Sequence, residues 1–167
     1  MRSLFSSRRQ NMSQKILIPL DGSVLGEAAL HHVEEMTSLL GLESKIEVTL
    51  FQVITLLTYA VTTGADAVEI PYTVDELDQM KDQAMDYLRK AAECLEGKGV
   101  PVKCEVVFGT SPCDEIIKAE TKFEANLVAM STHGRHGITR LAFGSVADKV
   151  LRKSTVPVLT VRMQHDS

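Results

Sequence analysis

The chain alternates short, almost unbroken apolar runs with longer stretches whose apolar residues recur at helical spacing. Lys15–Leu20 (KILIPL) is the first such run. So little polar alternation suits a strand buried on both faces. Asp21-Gly22-Ser23 follows as a turn and helix N-cap. Leu25, Ala28, Ala29, Val33, Met36, Leu39 and Leu40 then mark a helix over Val24–Leu40 that stops at Gly41. Lys45–Ile54 (KIEVTLFQVI) is rich in β-branched residues and reads as a second strand.

Residues Thr55–Pro71 are the least regular stretch, and a connection this long in a compact domain is usually functional or mobile. Thr73-Val74-Asp75-Glu76 is a capping box opening a helix to about Glu96, which Gly97 and Gly99 stop. Val102–Phe108 is the third strand. Ser111 caps another helix with Pro112 at its first position, where the missing amide hydrogen costs nothing. Asn126–Met130 and Val156–Val161 read as strands four and five, with a helix over Gly144–Lys153 between them. Strands alternating with helices, and no hairpin signal, predict βαβ units around a parallel sheet in a single α/β domain.

Charge and composition exclude several function classes. The net charge is −4, and all 22 acids but only 14 of 18 basic residues lie in 16–167, leaving that part at −8. A general nucleic-acid binder needs a basic face, and aromatics at 5% with no Trp offer few stacking platforms. Met1–Asn11 carries Arg2, Arg8 and Arg9 without an apolar run of membrane-spanning or signal-peptide length. Because Met12 follows, residues 1–12 are expected to be a tail or an upstream start, with a domain over 13–163 and a tail at 164–167. Cys94, Cys104 and Cys113 form no CxxC, so free thiols in a cytoplasmic protein are expected. Cys113 falls in a first helical turn, where the dipole could lower a thiol pKa.

The chemistry concentrates after strand four, in Ser131-Thr132-His133-Gly134-Arg135-His136-Gly137-Ile138-Thr139-Arg140-Leu141-Ala142-Phe143-Gly144-Ser145. Gly134 and Gly137 let backbone amides approach an anion closely. Gly144-Ser145 opens a helix, bringing free amides and the positive dipole end, and Arg135, His136 and Arg140 add positive charge. Glycines and a capping serine before a helix can equally make a plain turn. The strand before and the helix after favour the anion site, since ligands of parallel sheets bind at the carboxyl ends of strands, where Asp21-Gly22-Ser23 also lies. There is no GxxxxGK[ST], no GxGxxG and no GxSxG, and His133 and His136 flank a glycine that breaks any helical metal pair.

With those residues in place, the sequence resembles the universal stress protein family over Met12–Arg162. KILIPLDGS (Lys15–Ser23), LFQVI (Leu50–Ile54) and AMSTHGRHGITRLAFGSVADKVLRKSTVPVLTVR (Ala129–Arg162) carry the resemblance. The family motif is glycine, two residues, glycine, nine residues, then Gly-Ser or Gly-Thr. Gly134 and Gly144-Ser145 match it, and the first glycine falls at Ser131. The resemblance implies an open, parallel five-stranded sheet of order 3-2-1-4-5 with helices on both faces, Rossmann-like and similar to the adenine nucleotide alpha hydrolases. It implies that Pro19, Asp21, Val53 and Met130 face adenine and ribose, while Ser131, Gly134, Gly144, Ser145 and Val146 line the phosphates of ATP. Mg²⁺ would accompany the nucleotide, and homodimers would pair Val156–Val161.

These readings predict a regulatory stress protein that acts by binding ATP and dimerising, with neither a nucleic-acid nor a membrane partner. No placed base is evident, so chemistry would extend at most to slow ATP hydrolysis or self-phosphorylation. A nucleotide-free dimeric interaction protein of the same fold stays open beside it. An adenylating enzyme would need a longer serine- and glycine-rich loop than Asp21-Gly22-Ser23.

Overall fold

The computed structural model describes residues 13–41, 45–56, 59–63, 66–70, 72–132 and 144–162. Its elements run β1 (Gln14–Pro19), α1 (Ala28–Leu40), β2 (Ile46–Ile54), β3 (Tyr59–Thr63), β4 (Asp66–Ile70), α2 (Val74–Glu96), β5 (Val102–Phe108), α3 (Pro112–Lys122), β6 (Leu127–Thr132), α4 (Ser145–Lys153) and β7 (Val158–Arg162). Five strands form one parallel sheet in the order β5-β2-β1-β6-β7, which is the expected 3-2-1-4-5.

Alternation along each strand sorts the core into two layers. Ile16, Ile18, Val48, Leu50 and Ala129 face α1 and α2, packing on Leu30, Val33, Leu88 and Leu95. Leu17, Phe51, Val128 and Met130 face α3 and α4, packing on Ile116, Ala119, Ala147 and Val150. Both faces are therefore covered, as a parallel sheet requires. No described helix is long and apolar enough to cross a membrane.

Two expectations need correcting. The stretch read as irregular carries a hairpin, with β3 and β4 antiparallel and Val61 opposite Val68. Val61-Thr62-Thr63 is β-branched, but the two residues between the strands, Gly64-Ala65, are not one of the strong hairpin dipeptides, so the pattern was missed. The first helix begins at Ala28, not Val24, and residues 24–27 form turns instead. Its N-cap, Glu27, makes no side-chain cap, and Leu39 points outward at 85% exposure. The other signals hold: the Thr73–Glu76 capping box is complete, and Ser111 accepts from the Asp114 amide with Pro112 behind it.

The amino-terminal end of the sheet is tightly cross-linked. Asn126, just ahead of β6, donates its amide to the Lys15 carbonyl at 2.7 Å and accepts the Lys15 amide on its side chain at 2.9 Å. Glu120, near the end of α3, is only 3% exposed. Its carboxylate accepts from Ser154 Oγ at 2.7 Å, Thr155 N at 3.0 Å and Thr155 Oγ1 at 2.5 Å, fastening the approach to β7. Burial works to raise the Glu120 pKa, but the three donors outweigh it and hold the carboxyl below its ordinary value. A depressed pKa contributes stability that is present above the unfolded value of 4.5 and lost as pH falls through the folded one. Replacing Glu120→Gln should therefore lower stability at neutral pH by about 1–3 kcal/mol. The deficit should shrink as the pH drops below 4.5, which urea titrations of both proteins between pH 3 and 7 would measure.

Candidate functional site

The strand order reverses between β1 and β6. From β1 the chain goes through α1 to β2 on one side, and β6 goes through α4 to β7 on the other. The two central strands pair at Ile16–Leu127 and Leu17–Val128 only, although β6 continues to Thr132. Beyond Leu17, β1 stays with β2, and the Leu20 amide bonds to the Phe51 carbonyl at 2.8 Å. Such a divergence at the carboxyl ends is where ligands of open α/β sheets bind.

Four of the expected residues lie along this divergence. Pro19 ends β1 and Asp21 follows it, exposed, while Met130 and Ser131 are near the end of β6. Val53 lies one strand away on β2, in register with Val107. Met130 is 6% exposed, and Val53 and Val146 pack against the same apolar layer, on the α3–α4 face. Gly144 is the N-cap of α4, and Ser145 is its exposed first residue. Gly134 lies outside the described residues, as do Arg135, His136, Gly137 and Arg140.

Ser131 points to the opposite face, into α1. Its Oγ accepts the Ala29 amide at 2.9 Å and donates to the Gly26 carbonyl at 2.7 Å. These two bonds are worth about 1 kcal/mol each, comparable to the ~1 kcal/mol side-chain cap that Glu27 fails to provide. Strand β6 thus caps a helix remote in sequence.

The loop between β1 and α1 is closed by its own side chains. Asp21 Oδ1 accepts from Ser23 N at 3.0 Å and from Ser23 Oγ at 2.6 Å, and Ser23 Oγ accepts from Gly26 N at 3.0 Å. Gly22 turns the chain at φ +81°, a conformation open mainly to glycine. A Cβ on Gly26 would lie 2.5 Å from Asp21 Oδ1 and would displace the oxygen that accepts from Ser23. Ser23 and Gly26 were not among the predicted site residues. Their signal is the D-G-S-x-x-G spacing, in which a hydroxyl three residues before an amide makes a local cap. Close by, burial and then the Glu27 and Asp21 carboxylates push the Tyr87 hydroxyl pKa up.

One other expectation needs correcting here. Cys113 is 2% exposed, and burial raises its pKa despite Lys153 nearby, the opposite of the depression expected from the helix dipole. Among the described residues, no group of three or more His, Cys, Asp or Glu side chains could hold a metal ion.

Comparison with known proteins agrees with this geometry. The model of the universal stress protein family matches residues 12–162. The universal stress protein MJ0531 of Methanocaldococcus jannaschii is 30% identical, over 92% of this chain and 84% of that protein. The solved structure of MJ0577 superposes with a TM-score of 0.68 at 26% identity, covering 93% of this chain and all of that one. A universal stress protein crystallised with cAMP shares the fold, with a TM-score of 0.62 at 18% identity over 92% of this chain and 100% of its own. This chain belongs to the universal stress protein family.

Proposed function

We propose that this universal stress protein is a regulatory nucleotide-binding protein whose ligand is ATP with Mg²⁺, held between β1 and β6. The observation that carries the reading is the divergence of those strands after Leu17–Val128. Asp21, Met130 and Ser131 border that divergence. The base and ribose would lie among Pro19, Asp21, Val53 and Met130. The phosphates would meet Gly134 and the first turn of α4 at Gly144, Ser145 and Val146, where among the described residues no side chain caps the leading amides. The binding of cAMP by a relative of the same fold supports an adenine nucleotide.

Binding, not turnover, is the proposed mode of action, in the cytoplasm and as a homodimer. Asp148, the acid in the first turn of α4, is held by Arg152 at 3.0 Å and is not poised as a base. In the dimer the outer edge of β7 would be covered, since among the described residues β7 ends the sheet and pairs with β6 alone.

Titration calorimetry and thermal melts with ATP and Mg²⁺ test the ligand. Saturation at a hundred times the dissociation constant should raise the melting temperature by about 5–10 °C. Gly144→Val should weaken binding at least tenfold (~1.4 kcal/mol) with little change in the melting temperature of the free protein. No heat and no shift at millimolar ATP would instead identify a nucleotide-free interaction protein. For the dimer, light scattering should return twice the 18.4 kDa chain mass, and a monomer's mass would refute the β7 contact.

A further inference from the structure

We infer that Ser131 is a positioning residue that orders the β1–α1 loop before any nucleotide arrives, and not a direct phosphate donor; this role rests on the nucleotide reading above. Gly26 and Ala29 are three residues apart, the spacing of a tight-turn hydrogen bond. The Ser131 hydroxyl stands between them, giving its proton to the Gly26 carbonyl and accepting the Ala29 amide. It occupies the place that an inserted water would take, and this is why regular helix starts only at Ala28.

The insertion joins one continuous chain of hydrogen bonds. Asp21 accepts from Ser23, Ser23 accepts from Gly26, and Gly26 accepts from Ser131. Asp21 is the residue proposed to meet ribose, and Met130, its counterpart on β6, is the backbone neighbour of Ser131. One hydroxyl thus sets the spacing between the two walls of the crevice. A serine hydroxyl has one proton to give, and here the Gly26 carbonyl takes it. Contact with a phosphate oxygen would have to break the latch. A glycine at 131 would leave the Ala29 amide without this partner and the loop without its tie to β6. Ordering the loop in advance removes that entropic cost from ligand binding.

Amide exchange on the ligand-free protein and ATP titration, run on the same variants, test the role. Ser131→Ala keeps the Cβ and loses the hydroxyl, Ser131→Thr keeps both, and Ser131→Cys is nearly isosteric with a much weaker donor. In Ser131→Ala, amides 26–30 should exchange about tenfold faster or more, with Leu17 and Val128 unchanged as controls for global folding. ATP affinity should fall about tenfold, and Ser131→Thr should restore both readouts. If Ser131→Ala loses global protection, Ser131→Cys gives the same comparison. Unchanged exchange with weakened binding would overturn the inference in favour of direct phosphate contact. Faster exchange with unchanged affinity would overturn the positioning role. A wild type that binds no nucleotide would sink the nucleotide reading and this role together, while the exchange data would still decide separately whether the latch exists.

Discussion

Ile16, Leu17 and Ile18 are consecutive, yet their exposures are 3%, 0% and 0%. Side chains alternate along a strand, so this can hold only where both faces and both edges of β1 are covered. The remaining architecture meets that demand. Helices α1 and α2 cover one face, α3 and α4 cover the other, and β2 and β6 take the two edges. Because every connection in the sheet is a crossover between parallel strands, the chain leaves β1 and β6 in opposite directions at the same rim. The divergence of β1 from β6 is a by-product of burying one strand completely.

The two ends of the sheet are built differently. At the amino-terminal end, Asn126 ties β6 to β1, and the Glu120 carboxylate ties α3 to the segment entering β7. A buried carboxylate with three donors resists displacement because removing any partner strands a charge. At the carboxyl end the ladder between β1 and β6 stops, and the links are side-chain hydroxyls: Ser23 within the loop and Ser131 across it. Neutral bonds of about 1 kcal/mol each hold a loop in position without making it immovable. Rigidity and adaptability are thereby separated along the strand axis.

Most of the architecture was legible in the sequence because burial on two faces leaves unmistakable runs such as KILIPL, and caps such as Thr73–Glu76 are local. The hairpin was not, since Tyr59–Thr63 and Asp66–Ile70 are short, and Gly64-Ala65 is a weak turn signal beside Asn-Gly or Asp-Gly. The family resemblance pointed to Asp21, Met130 and Gly144-Ser145, and the fold brings Asp21 and Met130 to the strand divergence. The function of Ser131 was not legible in the sequence. Read as a substituted motif glycine, it looked like a phosphate-lining residue, whereas its hydroxyl serves α1, more than a hundred positions away in sequence.

The sequence by itself determined the alternation of strands and helices, the family, and the helix start at Gly144-Ser145. Those features depend on periodicity and on neighbours within a few residues, and both are written along the chain. Tertiary structure alone decided where α1 begins, which partner the Ser131 hydroxyl takes, and that the Cys113 thiol is buried. Each depends on what the fold brings against a residue from elsewhere. A hydroxyl, an amide or a thiol has the same chemistry in every sequence context until packing chooses its neighbour.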